Sequence, residues 1–144
     1  MKRLLLCCLV LAACKKYAAS PDPAYCGKWT WVRSVTGPTE TFATPGDTTV
    51  LNLETDGSYQ VLYNGQVVLR GSFGLSSFGL SATSLGGDLL KLSNTSGQLL
   101  LPPESIVILR PETQIITTLG EPNDTLTMTE YPTSPDATTN VFGR

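Results

Sequence analysis

The chain has 144 residues, of which 41% are hydrophobic and 15% are charged, and its net charge is −2 at pH 7. It contains no histidine. This excludes Ser-His-Asp and Cys-His catalysis and the usual zinc clusters.

The first 13 residues have the three parts of a secretory signal. A basic start at residues 2–3 precedes an apolar stretch at 4–11 and two small residues at 12–13. The apolar stretch is shorter than the roughly 20 residues that a membrane-spanning helix needs. We therefore predict that residues 1–13 are an export signal and not a transmembrane anchor.

The next feature is Cys14, which closes the sequence LAAC at residues 11–14. This sequence resembles the bacterial lipobox, in which the cysteine becomes the acylated first residue of the mature protein. Each acyl methylene buried in a bilayer contributes about 0.8 kcal/mol, so a lipid on Cys14 would hold the chain to a membrane. The alternative is a cysteine that merely follows an ordinary signal peptide.

Loss of the signal changes the charge balance. Two of the 10 basic residues leave and all 12 acidic residues stay, so the mature chain has 8 basic against 12 acidic residues and a net charge of −4. This balance argues against a nucleic acid as partner. Lys15 and Lys16 are not followed by the acidic residues of some surface-export signals. We expect an outer-membrane lipoprotein that faces the periplasm, with surface exposure as the alternative.

Residues 14–25 predict a flexible tether, because Pro21 and Pro23 prevent a regular helix or a central strand. The 11 residues after Cys14 reach at most about 36 to 40 Å. Residues 26–144 then form one domain with a single core. Cys26 is the only cysteine left without a lipid or a place in the signal, so it is either buried or available for intermolecular pairing.

The sequence of the domain is typical of an all-β protein. Residues that favour turns are frequent, and apolar and polar residues alternate in short runs. A meander of such strands hides its edges most simply by closing on itself. We predict an antiparallel up-and-down β-barrel of about 8–10 strands. The runs lie at 28–35, 48–54, 58–63, 66–73, 89–93, 105–110, 114–119, 125–130 and 139–142.

Two turns carry a specific signal, because Asp56-Gly57 and Asn64-Gly65 are dipeptides that accept positive φ in a tight hairpin. A two-residue loop at Asn64-Gly65 fixes the register of the hairpin. The predicted pairs are Tyr63 with Gln66, Leu62 with Val67, Val61 with Val68, and Tyr59 with Arg70.

This register divides the hairpin into two faces. One carries Leu62, Val67, Leu69 and Phe73 with Gln60, and the other carries Tyr59, Val61, Tyr63, Val68 and Arg70. Burying Arg70 without a partner is costly, so we predict that the first face lines the interior. A one-residue bulge near Gly71 would overturn this choice.

The sequence SFGLS occurs twice in succession, at 72–76 and 77–81. A period of five reverses the facing of a continuous strand, so we expect the second copy to be a loop. That loop is either a slipped duplication or a lid over a barrel mouth.

No motif for catalysis is complete. Phe78 and Thr83 occupy the position of the second glycine in two near matches to G-x-S-x-G. Glu54 and Asp56 could act as an acid and a base, but turn chemistry accounts for Asp56. We predict a protein that is not an enzyme and needs no cofactor or metal.

Gly27-Lys28-Trp29 opens the first strand and resembles the lipocalin signature G-x-W. Together with LNLETDGSYQVLYNGQVVLRGSFGL, DTLTMTEY and NVFGR, it makes the chain resemble the lipocalin-like lipoproteins of Gram-negative bacteria. The resemblance implies that Gly27 and Trp29 belong to the barrel floor and that Arg144 packs across Trp29. Trp31 lies two residues after Trp29 on the same face of the predicted strand. It is then either a core residue or a ligand contact.

The resemblance implies a fold more firmly than an activity, because lipocalins include transporters, enzymes and members without a known ligand. An aromatic and aliphatic interior with few polar anchors suits a small apolar ligand. We therefore expect a membrane-anchored binder of such a ligand, with a plugged barrel that acts as a structural or protein-interaction module as the alternative and a hydrolase or isomerase third. The candidate ligand contacts are Trp31, Leu62, Val67, Leu69 and Phe73.

Overall fold

The computed structural model describes residues 24–77, 88–97, 113–119, 124–131 and 135–144. Within these ranges the chain forms strands and no helix. The described part therefore contains no helix of the length and hydrophobicity that crossing a bilayer requires. The strands are β1 (Gly27–Thr36), β2 (Thr39–Phe42), β3 (Thr49–Leu53), β4 (Ser58–Tyr63), β5 (Gln66–Ser77), β6 (Asp88–Gly97), β7 (Thr113–Leu119), β8 (Thr125–Glu130) and β9 (Thr138–Gly143).

These strands close into an antiparallel barrel. From β3 to β9 each strand pairs with the next, and β1 joins the two ends by pairing with both β3 and β9. β2 pairs with the second half of β1, on the edge whose first half is taken by β3. β2 and β3 therefore act as one interrupted strand, and the barrel has eight strands. The predicted all-β, up-and-down barrel is confirmed.

The predicted strands match the observed ones with two exceptions. β2 was not predicted, because its four residues TETF are mostly exposed and lack an apolar face. The run at 105–110 lies outside the described residues, as do the signal at 1–13, Cys14 and most of the second SFGLS copy.

The hairpin of β4 and β5 begins as predicted and then changes register. Asn64 and Gly65 have φ values of 48° and 80°, as the two-residue turn requires. The first two predicted pairs form, but a bulge at Val68 follows them. Val61 then pairs with Leu69 and not Val68, and the predicted pairing of Tyr59 with Arg70 is likewise wrong, because Tyr59 pairs with Gly71.

Because of the bulge, the side chains of β4 face the opposite way from the prediction. One extra residue in β5 shifts the pairing by one, and such a shift exchanges the inner and outer faces of a strand. Tyr59 and Val61 are buried, whereas Val67 is 50% exposed and Leu62 is only half-buried on the outer side. The prediction that Leu62 and Val67 line the interior is therefore wrong. Leu69 and Phe73 do face inward, and Arg70 is exposed as its charge demands.

Large side chains fill the described part of the interior. This fits an eight-stranded barrel, whose interior is just wide enough for its own side chains or for one small ligand. The aromatic members each bury roughly 150 to 250 Å² and dominate the core. The buried apolar residues are Tyr25, Trp29, Trp31, Leu51, Leu53, Tyr59, Val61, Leu69, Phe73, Leu90, Leu92, Ile116, Leu126, Met128 and Phe142.

Candidate functional site

Trp29 and Arg144 meet at the end of the barrel where β1 begins. Trp29 is fully buried, and the Arg144 guanidinium carbon lies 4.2 Å from the centroid of its ring. The indole Nε1 donates a hydrogen bond of 2.8 Å to the carbonyl oxygen of Tyr25. The predicted packing of Arg144 across Trp29 is confirmed.

Arg144 also holds the segment that precedes β1. Its guanidinium donates hydrogen bonds to the carbonyl oxygens of Ala24 and Cys26, at 3.3 and 3.1 Å. Gly27 follows with a φ of 132°, a conformation that favours glycine. A Cβ at Gly27 would lie 3.7 Å from the Arg144 guanidinium. Gly27, Trp29 and Arg144 therefore form one floor.

Tyr25 completes this floor, although sequence reasoning placed it in the tether. Its side chain is buried in the core, and its hydroxyl donates a 2.9 Å hydrogen bond to Asp88 at the start of β6. The packed domain thus begins at or before Tyr25, ahead of the expected start at Cys26. Cys26 itself is half-buried. An aromatic residue two positions before Gly27 was the only available signal for this contact.

A buried polar layer lies toward the opposite end of the barrel. The Trp31 Nε1 donates to Ser34 at 3.1 Å, and the Ser34 hydroxyl donates to Asn140 Oδ1 at 2.6 Å. One step further, the hydroxyls of Thr36 and Thr138 lie 3.0 Å apart. Trp31 is therefore fixed by packing and by a hydrogen bond, as expected of a core residue. The polar layer was not predicted.

The five candidate ligand contacts do not form one site. Trp31 and Phe73 lie within the core, and Leu62 lies on the outer side. Val67 and Leu69 do come together, in a pocket of about 300 Å³ beside the bulge. This volume is at the lower limit for a small-molecule site, roughly 300 to 1,000 Å³. Val68, Arg70, Ser96 and Gly97 complete the pocket wall.

The candidate acid and base have structural partners. Glu54 accepts a 2.6 Å hydrogen bond from the Asn52 amide, and Asp56 accepts one of 2.8 Å from the backbone N–H of Ser58. Hydrogen bonds from the side chain and backbone of Ser58 lower the pKa of Asp56. A general acid needs the opposite shift. Within the described ranges, no group of three His, Cys, Asp or Glu residues is placed to hold a metal ion.

Comparison of the chain with family models finds no match, and comparisons with curated proteins and with solved structures find no significant one. The lipocalin resemblance thus rests on the residues of the floor and on the eight-stranded barrel, and the family assignment stays a prediction.

Proposed function

We propose that this protein is an envelope lipoprotein, tethered to a membrane through Cys14, whose barrel acts as a structural or interaction module through its outer surface. The observation that carries the proposal is the filled interior. Trp29, Trp31, Tyr59, Phe73 and Phe142 are all buried in one cluster. A ligand within the described part of the barrel would have to displace these side chains, at a cost of several kcal/mol for each large one.

A small apolar ligand remains the second candidate function, because one observation favours it. Val67, Val68 and Leu69 give the pocket beside the bulge an apolar wall. A ligand there would lie at the surface, with Arg70 and Ser96 at its edge. That location differs from the barrel interior that the sequence suggested.

The anchor is supported by the order of features along the chain. The lipobox-like LAAC ends at Cys14, and the first described residue, Ala24, already contacts Arg144 at the floor. Ala24 is the tenth residue after Cys14, so the segment between them reaches at most about 33 to 36 Å. In this proposal the floor is the end of the barrel nearest the tether, and the membrane is the partner reached through the lipid.

Replacement of Cys14 by serine should abolish incorporation of radiolabelled palmitate, because the hydroxyl cannot replace the thiol as the site of acylation. The measurement is acyl labelling in a Gram-negative host, followed by mass spectrometry of the processed chain. Cys8→Ser and Cys26→Ser are matched controls that should label like the parent. A Cys14→Ser chain that still carries lipid would disprove the anchor.

A further inference from the structure

Gly74 lies in the middle of β5, where nothing in the described chain requires a glycine. Its φ is not positive, and a Cβ at this position would meet no described atom within 4 Å. A glycine inside a strand costs about 0.5 to 1 kcal/mol relative to alanine. Such a glycine often marks a place where a ligand approaches the backbone closely.

Gly74 lies in a groove on the outside of the barrel, along β5 and β6. The groove has two adjoining parts of about 350 and 360 Å³. Ser72 in one part and Ser93 in the other are paired in the sheet, and their hydroxyls lie 3.1 Å apart. The first part is lined by Gly74, Leu75, Ser76, Lys91 and Ser93, and the second by Ser58, Tyr59, Gln60, Arg70, Gly71, Ser72, Asn94 and Ser96.

An irregularity in the sheet shapes the middle of this groove. Arg70 pairs with Ser96 and Ser72 pairs with Ser93, so two residues of β6 oppose the single residue Gly71. One of the two, Asn94, has a φ of 50°, which is uncommon for a residue with a side chain. Its amide donates a 3.0 Å hydrogen bond to the Ser72 hydroxyl. The bulge thus places an amide among the serine hydroxyls of the groove.

The charges of the groove are all of one sign. Arg70 and Lys91 are exposed, and neither side chain forms a hydrogen bond or an ion pair with another described residue. Lys91 is the partner of Gly74 in the sheet, and Gly74 lies four positions after Arg70 along β5, which is about 13 Å. The described lining contains no acidic residue. The groove therefore has a cation on either side of a surface made of hydroxyl groups, side-chain amides and exposed backbone.

We propose that this groove binds an acidic oligosaccharide. Arg70 and Lys91 each pair with a carboxylate of the sugar chain, and the serine hydroxyls and the amides of Gln60 and Asn94 bind its hydroxyl groups. A sugar ring lies flat against the backbone at Gly74, where a side chain would exclude it. This inference rests on the proposed interaction role of the outer surface and names the class of partner.

The test is calorimetric titration of the full-length chain, purified in a mild detergent, with an oligomer of galacturonic acid. A neutral glucose oligomer of the same length is the comparison ligand. We expect saturable binding of the acidic oligomer only. Arg70→Gln and Lys91→Gln should each weaken it by roughly two- to fivefold, as expected for loss of an ion pair at an exposed site.

Gly74→Val should abolish binding without lowering the melting temperature, because its side chain points into open space. Lys28→Gln is the matched control, since Lys28 is exposed on β1 and does not line the groove. Absence of saturable binding, equal binding of the neutral oligomer, or an equal loss in Lys28→Gln would overturn the proposal. Palmitate labelling of the same variants reports on the anchor separately, so the two proposals can fail independently.

Discussion

Replacement of Trp29 by alanine should lower the free energy of unfolding by about 3 to 5 kcal/mol. Trp29 is fully buried. Its removal would leave a cavity the size of an indole, which the neighbouring side chains cannot fill because they are already packed against one another. The substitution also removes the hydrogen bond to the Tyr25 carbonyl and the ring beneath Arg144. Since domains of this size are stable by only about 5 to 15 kcal/mol, the loss should be plain in urea denaturation followed by circular dichroism.

Two variants separate the contributions at the floor. Trp29→Phe keeps an aromatic ring under Arg144 but cannot donate to Tyr25, so its cost should be smaller than that of Trp29→Ala. Arg144→Gln removes the exposed cation from the ring, a contact worth about 0.5 to 1 kcal/mol at such a site, together with the hydrogen bonds to the carbonyl oxygens of Ala24 and Cys26. It leaves the indole in place. A Trp29→Ala chain as stable as the Arg144→Gln chain would show that Trp29 does not hold the floor.

Replacement of Gly71 by alanine should destabilise the barrel by about 1 to 3 kcal/mol, the usual cost of overpacking. A Cβ there would lie 2.6 Å from the Ser93 carbonyl oxygen and 2.7 Å from the Tyr59 ring. Neither can move cheaply, because Ser93 is held in the ladder of β6 and Tyr59 is buried with its hydroxyl bonded to Thr95.

Gly74→Ala is the matched control for this effect, since both glycines lie in β5 and only Gly71 is crowded. The control should leave stability unchanged or raise it by about 0.5 to 1 kcal/mol. The measurement is the melting temperature of the two full-length variants. Equal melting temperatures would mean that Gly71 has more room than the structure assigns to it.

The floor could be predicted from sequence because its chemistry is local and familiar. Trp29 lies in a short motif at the start of a strand, and Arg144 was paired with it through the family resemblance. The turn at Asn64-Gly65 was equally accessible, since few residues accept positive φ at both positions. The alternation of apolar and polar residues was enough for the all-β class and for most strands.

The facing of the hairpin could not be predicted in the same way. The bulge at Val68 follows a correct turn, and no residue type marks it within a run of valines and leucine. We chose between the two faces by the cost of burying Arg70. The bulge leaves Arg70 exposed and at the same time buries Tyr59 and Val61. Tyr25 was missed for a related reason, because its partner Asp88 lies 63 residues away in the chain.

Titration of the full-length chain with a fluorescent fatty acid tests the filled barrel most directly. We expect no saturable binding by the parent, because the described interior is occupied by its own side chains and the apolar pocket at Leu69 is small and open. A Val67→Trp variant, which narrows that pocket from its exposed wall, should behave like the parent in the same titration. Saturable binding by the parent that Val67→Trp weakens, with the circular dichroism spectrum unchanged, would contradict the account and establish an apolar ligand site.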